Sequence, residues 1–136
     1  MTSPPILSVV NPDAQRWAEW ANYDLGTADA MLASGRYLYV LFCSQQAVEK
    51  RLKAEIVEQT GTFPPRTHDL IKLAQTAGVK LSEERDLFLR TLTKYYIGTR
   101  YPEEVSALAA EATRDITAQS LVRTKEFLAW LETSRK

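Results

Sequence analysis

The chain has 136 residues, a mass of 15.4 kDa, and 17 basic against 17 acidic side chains, giving a formal net charge of zero. Hydrophobic residues make up 45% and charged residues 25%, which excludes a disordered chain and fits one globular domain. The balanced charge also excludes the long-range pull of a strongly basic domain, so any nucleic-acid binding must come from a local patch.

Two counts narrow the chemistry. Cys43 is the only cysteine, so an intramolecular disulfide and a multi-cysteine zinc site are impossible. His68 is the only histidine, so a two-histidine metal site is excluded as well. No metal and no cofactor are expected. The first apolar runs, Ile6-Leu7 and Val9-Val10, fall far short of the ~20 residues of a membrane helix. No Lys or Arg precedes Arg16, so the positive start of a signal peptide is missing. The expected home is the cytoplasm, away from membranes, with Cys43 reduced.

Residues 1–11 read as an extended N-terminal tail and residues 12–136 as a single helical domain. Asn11 can cap a first helix that opens on Pro12, whose φ is pre-set for that position. Trp17, Ala21, Asp24/Leu25, Ala28 and Met31/Leu32 recur at helical spacing, and Gly35 is a stop. A second helix spans about Tyr37 to Gln59, with the stripe Leu38, Leu41/Phe42, Val48, Leu52 and Ile56. Thr67 is the expected cap of a short third helix, which would put His68 at its first, solvent-side position. Ser82, followed by Glu83 and Glu84, opens a fourth, with Phe88 or Leu89, Leu92 and Tyr95/Tyr96 inward. A last helix is expected from Pro102 to about Trp130, its stripe including Val105, Leu108/Ala109, Ala112 and Ile116. No segment alternates like a strand. The fold class is all-α, an up-and-down helical bundle of four long helices plus one short one.

Three places could carry chemistry. Gln45 and Glu49 fall within the apolar stripe of the second helix. Glu49 and Lys53 stand i,i+4 with the acid first, the favourable order for an ion pair. Either this is a solvated face with one weak pair, or it is a polar seam that needs partners from another helix or subunit. Lys50, Arg51 and Lys53 could together hold a phosphate. His68, in Thr67-His68-Asp69-Leu70, could be a general base or a local hydrogen-bonding group. Arg100 and Tyr101 project from a break made by Gly98 and Pro102. There an arginine can grip a phosphate or carboxylate in two-pronged fashion and a tyrosine can stack on a base. The acid pairs Glu83-Glu84 and Glu103-Glu104 suit helix starts. No GxGxxG, P-loop or GxSxG motif is present.

Taken together, Trp20-Ala21-Asn22-Tyr23-Asp24-Leu25, the run Gln45 to Lys53, Thr67-His68-Asp69-Leu70 and Arg100-Tyr101-Pro102 resemble the HEPN family (higher eukaryotes and prokaryotes nucleotide-binding). The order and spacing match from about residue 14 to 132. The resemblance implies a helical bundle that forms a homodimer. It also implies, for many small prokaryotic members, a minimal nucleotidyltransferase as partner, in some cases as a toxin–antitoxin pair. Toxin members are metal-independent RNA endonucleases marked by Arg, four to six residues, then His. That signature is absent here in every register. Before His68 it would need arginine at Gly61, Thr62 or Phe63, and after Arg100 it would need histidine at Val105, Ser106 or Ala107. Arg100-Tyr101-Pro102 resembles an Arg-Tyr-Pro variant of the family, and Glu49, Lys50 and Lys53 match its second-helix motif.

The leading expectation is a non-catalytic, homodimeric module that works with a nucleotidyltransferase and binds a nucleotide or RNA phosphate. Its polar cleft would use Lys50, Lys53, His68, Arg100 and Tyr101, with Glu49 beside them. One rival is a divergent ribonuclease with Arg100 stabilising the phosphorane and His68 as base. Another is a dimerisation or scaffold domain built on Trp17, Trp20 and Trp130.

Overall fold

The computed structural model describes residues 9–134, and residues 1–8 of the expected tail lie outside that range. Six helices follow one another: α1 (Pro12–Ala33), α2 (Tyr37–Thr60), α3 (Leu70–Thr76), α4 (Glu83–Thr93), α5 (Pro102–Glu111) and α6 (Arg114–Ser134). There is no strand among the described residues, so the all-α bundle stands.

Local chemistry sets most helix ends. The Asn11 side chain accepts from the backbone N–H groups of Asp13 and Ala14 at 2.8 and 3.2 Å, so α1 starts where its cap predicts. Gly61 closes α2 at φ +67°, a left-handed conformation that costs glycine little. Ser82 caps α4 through the N–H of Arg85. Two boundaries differ from the sequence reading. The cap of α3 is Asp69, which takes the N–H groups of Ile71 and Lys72, while Thr67 accepts only from the N–H of Asp69. His68 is therefore in the connecting loop, ahead of the helix. The long last helix is two helices, because the chain leaves helical geometry at Ala112 (ψ 77°) and Thr113 re-caps it through the N–H of Ile116. Ile116, expected inward, is exposed as a result, and no residue within α5 is fully buried.

Helix α2 is the axis of the bundle, touching α1, α3, α4, α5 and α6. Its C-terminal half supplies Val48, Leu52 and Ile56 to the main core, with Leu70 and Leu73 from α3, Phe88, Leu89 and Leu92 from α4, and Phe127 and Leu131 from α6. On the other side, Ala14, Ala18, Ala21 and Ala28 are buried along α1. These small side chains let α1 lie close along α2. Val9 is buried against Ala14 and Val57, and the N–H groups of Val10 and Asn11 donate to Glu58, so the chain is anchored before α1 begins. The tryptophans divide between core and surface. Trp17 and Trp130 are half-buried against core clusters, and Trp20 is half-exposed.

Candidate functional site

The middle of α2 is polar and buried at once. Glu49, Lys50, Arg51, Lys53 and Glu55 are each less than a tenth exposed. Such burial is tolerable only if every charge has a partner. The Glu49 carboxylate takes Lys53 Nζ at 3.0 Å on one oxygen, and Gln45 Nε2 at 3.1 Å and His68 Nδ1 at 2.9 Å on the other. Lys50 Nζ lies 2.5 Å from Asp24 of α1 and 3.0 Å from Gln46. Its charge sits 4.0 Å from the centre of the Trp20 ring, a cation–π contact that covers the seam. Lys53 approaches Trp17 in the same way at 5.5 Å. Two acids and two lysines thus balance one another. The polar-seam reading holds, with partners drawn from α1 and the loop before α3.

This geometry takes Lys50, Arg51 and Lys53 out of any open phosphate grip. Lys50 is engaged by Asp24 and Lys53 by Glu49, while Arg51 pairs with Glu55 and with Glu132 of α6. Each is a structural cation with its carboxylate already in place.

The open chemistry lies on the far side of Glu49. His68 is half-exposed, with one edge tied to that carboxylate. Because an ionised carboxylate only accepts, Nδ1 carries a proton, and in the neutral form of the ring Nε2 presents its lone pair. The backbone carbonyl of His68 also accepts from Gln45 Nε2, which pins the loop to α2. One face of the imidazole is covered by Tyr96, the ring centroids 3.6 Å apart and the planes 12° from parallel. Tyr96 reaches that position because Gly98 has no side chain. A Cβ there would stand 2.6 Å from the Tyr96 hydroxyl oxygen.

His68, Tyr96 and Arg100 line one open cleft of about 350 Å³, with Asp69, Thr93, Thr99 and Glu104 completing its walls. Arg100 is braced by two hydrogen bonds, to the Lys94 carbonyl at 2.9 Å and to Glu104 at 3.3 Å. Its remaining N–H groups are free to donate. Glu104 also accepts from the N–H of Tyr101 at 3.0 Å, and this bond, assisted by Arg100, holds its carboxyl below the usual range. The Tyr101 ring points away as an exposed side chain outside this lining. The structure therefore brings together His68 and Arg100, sets Glu49 behind His68, and places Lys50, Lys53 and Tyr101 elsewhere. Tyr96, which the sequence reading assigned to the core stripe, is a member of the cleft, and so is Asp69, which that reading did not count among the site residues. The signal that could have found Tyr96 is its place two residues before Gly98.

Among the described residues no helix is long and apolar enough to cross a membrane, and no group of three His, Cys, Asp or Glu is placed to hold a metal ion. No curated protein matches the chain. Among solved structures it is similar to TT1696 from Thermus thermophilus, with a TM-score of 0.74 and 30% sequence identity over 88% of this chain and 96% of that one. The HEPN domain matches residues 14–134. With nearly its whole length so matched, the chain belongs to the HEPN domain family.

Proposed function

We propose that this protein is a non-catalytic HEPN module that binds a nucleotide or an RNA phosphate in the His68–Tyr96–Arg100 cleft. In this reading it acts as a cytoplasmic homodimer beside a minimal nucleotidyltransferase. The observation that carries the proposal is the braced Arg100 guanidinium, which shares an open cleft with a fixed imidazole and leaves N–H groups to spare. Planar, always charged and held in place, such a group is suited to two-pronged binding of a phosphate. The balanced net charge fits a small anionic ligand better than broad affinity for polynucleotide. The test is a thermal-shift screen of ATP, GTP, CTP, UTP and short RNA, with light scattering for the oligomer and a pull-down for the partner. A ligand at 100 times its dissociation constant adds about 2.7 kcal/mol of stability. The expected result is a dimer stabilised by at least one nucleotide, with the shift lost in Arg100→Ala. A monomer that ignores every ligand and captures no nucleotidyltransferase refutes the proposal.

A second reading has its own observation. A buried carboxylate holding Nδ1 of a half-exposed histidine, with an arginine in the same cleft, is also an arrangement for general-base chemistry on RNA. That reading requires RNA cleavage that persists in EDTA and disappears in His68→Ala and Arg100→Ala. Equal cleavage by parent and variants refutes it.

A further inference from the structure

The cleft has more than a cation to offer, and the groups in it that no other described residue pairs point to the chemistry of its ligand. Glu104 spends both oxygens, one on the N–H of Tyr101 and one on Arg100. Thr93 spends its hydroxyl by donating to the Leu89 carbonyl and accepting from the N–H of Leu70. The Thr99 and Tyr96 hydroxyls, which either donate or accept, are open to a ligand, and two groups are left that offer only an acceptor. His68 Nε2 makes no hydrogen bond among the described residues, because Nδ1 alone is tied to Glu49. Asp69 is exposed, uses Oδ1 to cap α3 and has no hydrogen bond to Oδ2 among the described residues. Both residues line the same cleft as Arg100.

A phosphate monoester dianion, which has no hydroxyl hydrogen of its own, satisfies the arginine and meets two acceptors it cannot pair with. A ligand that carries an anion and neighbouring hydroxyl donors satisfies all three. Resting on the nucleotide-binding reading above, we infer that the cleft discriminates ribonucleotides from deoxyribonucleotides, with Asp69 and His68 accepting from the ribose hydroxyls while Arg100 holds phosphate. Asp69 and His68 are then specificity-determining residues, and Arg100 supplies affinity to both sugar types alike. The tautomer of His68 is part of the device. Glu49 holds the Nδ1 proton, so the neutral form of the ring is the tautomer that faces the ligand with an acceptor.

The experiment compares ATP, GTP, CTP and UTP with their 2′-deoxy counterparts by calorimetric titration of the full chain. A site built to hydrogen-bond a hydroxyl rejects the analogue that lacks it. In an open cleft the expected penalty is modest, about tenfold in Kd. Asp69→Asn is the informative variant. Asparagine is an equally good helix cap, so the fold is kept, but the free acceptor oxygen becomes an amide donor. In Asp69→Asn the ribose preference should collapse to within about twofold. His68→Phe keeps a ring against Tyr96 and removes the acceptor, and it should narrow the preference too. Arg100→Ala should weaken both sugar types equally. Equal binding of ribo and deoxy forms by the parent overturns this inference and leaves nucleotide binding standing. A preference that survives in both Asp69→Asn and His68→Phe overturns the assignment to these residues. Failure of every nucleotide to bind overturns the underlying reading and this inference with it.

Discussion

Replacing Glu49 by alanine tests whether the seam in α2 is as tightly compensated as its geometry requires. The carboxylate is 5% exposed and serves Lys53, Gln45 and His68. Removing it leaves the Lys53 ammonium, itself 9% exposed, without its ion-pair partner in a dry setting. Stranding one member of a buried pair costs about 3–5 kcal/mol, against about 0.2–1 kcal/mol for an exposed i,i+4 pair. For a domain of this length the larger figure is of order 10 °C or more in melting temperature. Glu49→Ala should therefore melt far below the parent in thermal or urea unfolding. Lys53→Met added to Glu49→Leu should recover much of the loss, because replacing both partners by apolar groups avoids the stranded charge. A Glu49→Ala cost below about 1 kcal/mol would refute the reasoning, since that is the value of a solvated face.

Three further outcomes follow from individual contacts. Gly98→Ala places a methyl group 2.6 Å from the Tyr96 hydroxyl oxygen. It should push Tyr96 off His68, cost about 1–3 kcal/mol in unfolding experiments, and change the ring-current shift of the imidazole protons; an unaltered spectrum contradicts the close approach. Burial pushes the Cys43 thiol above its ordinary value, with Asp24 adding to the effect and Lys50 opposing it. Iodoacetamide should then label the native protein much more slowly than the unfolded chain near neutral pH, and equal rates by mass spectrometry would count against it. The N–H of Tyr101, with Arg100 behind it, lowers the Glu104 carboxyl. A depressed carboxyl stabilises its loop above its unfolded pKa, and that contribution is lost as pH falls through the lowered folded value. An NMR acid titration should find Glu104 protonating below the exposed glutamates, and titration at their common value contradicts the bond.

The readable parts of this fold are those set by neighbours in sequence. Asn11, Gly35, Gly61 and Ser82 mark ends because a cap or a left-handed glycine acts over a turn. The break at Ala112–Thr113 was not visible, since neither residue is a strong breaker and only the threonine cap betrays it. The second helix shows a deeper limit. Gln45 and Glu49 on an apolar stripe announced a polar seam, but the partner of Lys50 lies 26 residues away and one partner of Arg51 lies 81 away. Without those distances, paired structural cations look like a phosphate grip. Arg100 and His68 were legible as special residues, each from its own local context. Their shared cleft was not, because it depends on Tyr96 crossing to His68 over a glycine.

The central claim is that a nucleotide binds beside His68, and the molecule offers a single imidazole to report on it. The most direct measurement is an NMR titration that follows the His68 ring resonances as ATP, GTP, CTP or UTP is added. The account predicts that at least one nucleotide shifts them saturably, and that Arg100→Ala abolishes the shift while the fold persists. A nucleotide that binds by calorimetry yet leaves the His68 ring unmoved would contradict the site, and no response to any of the four would contradict the function.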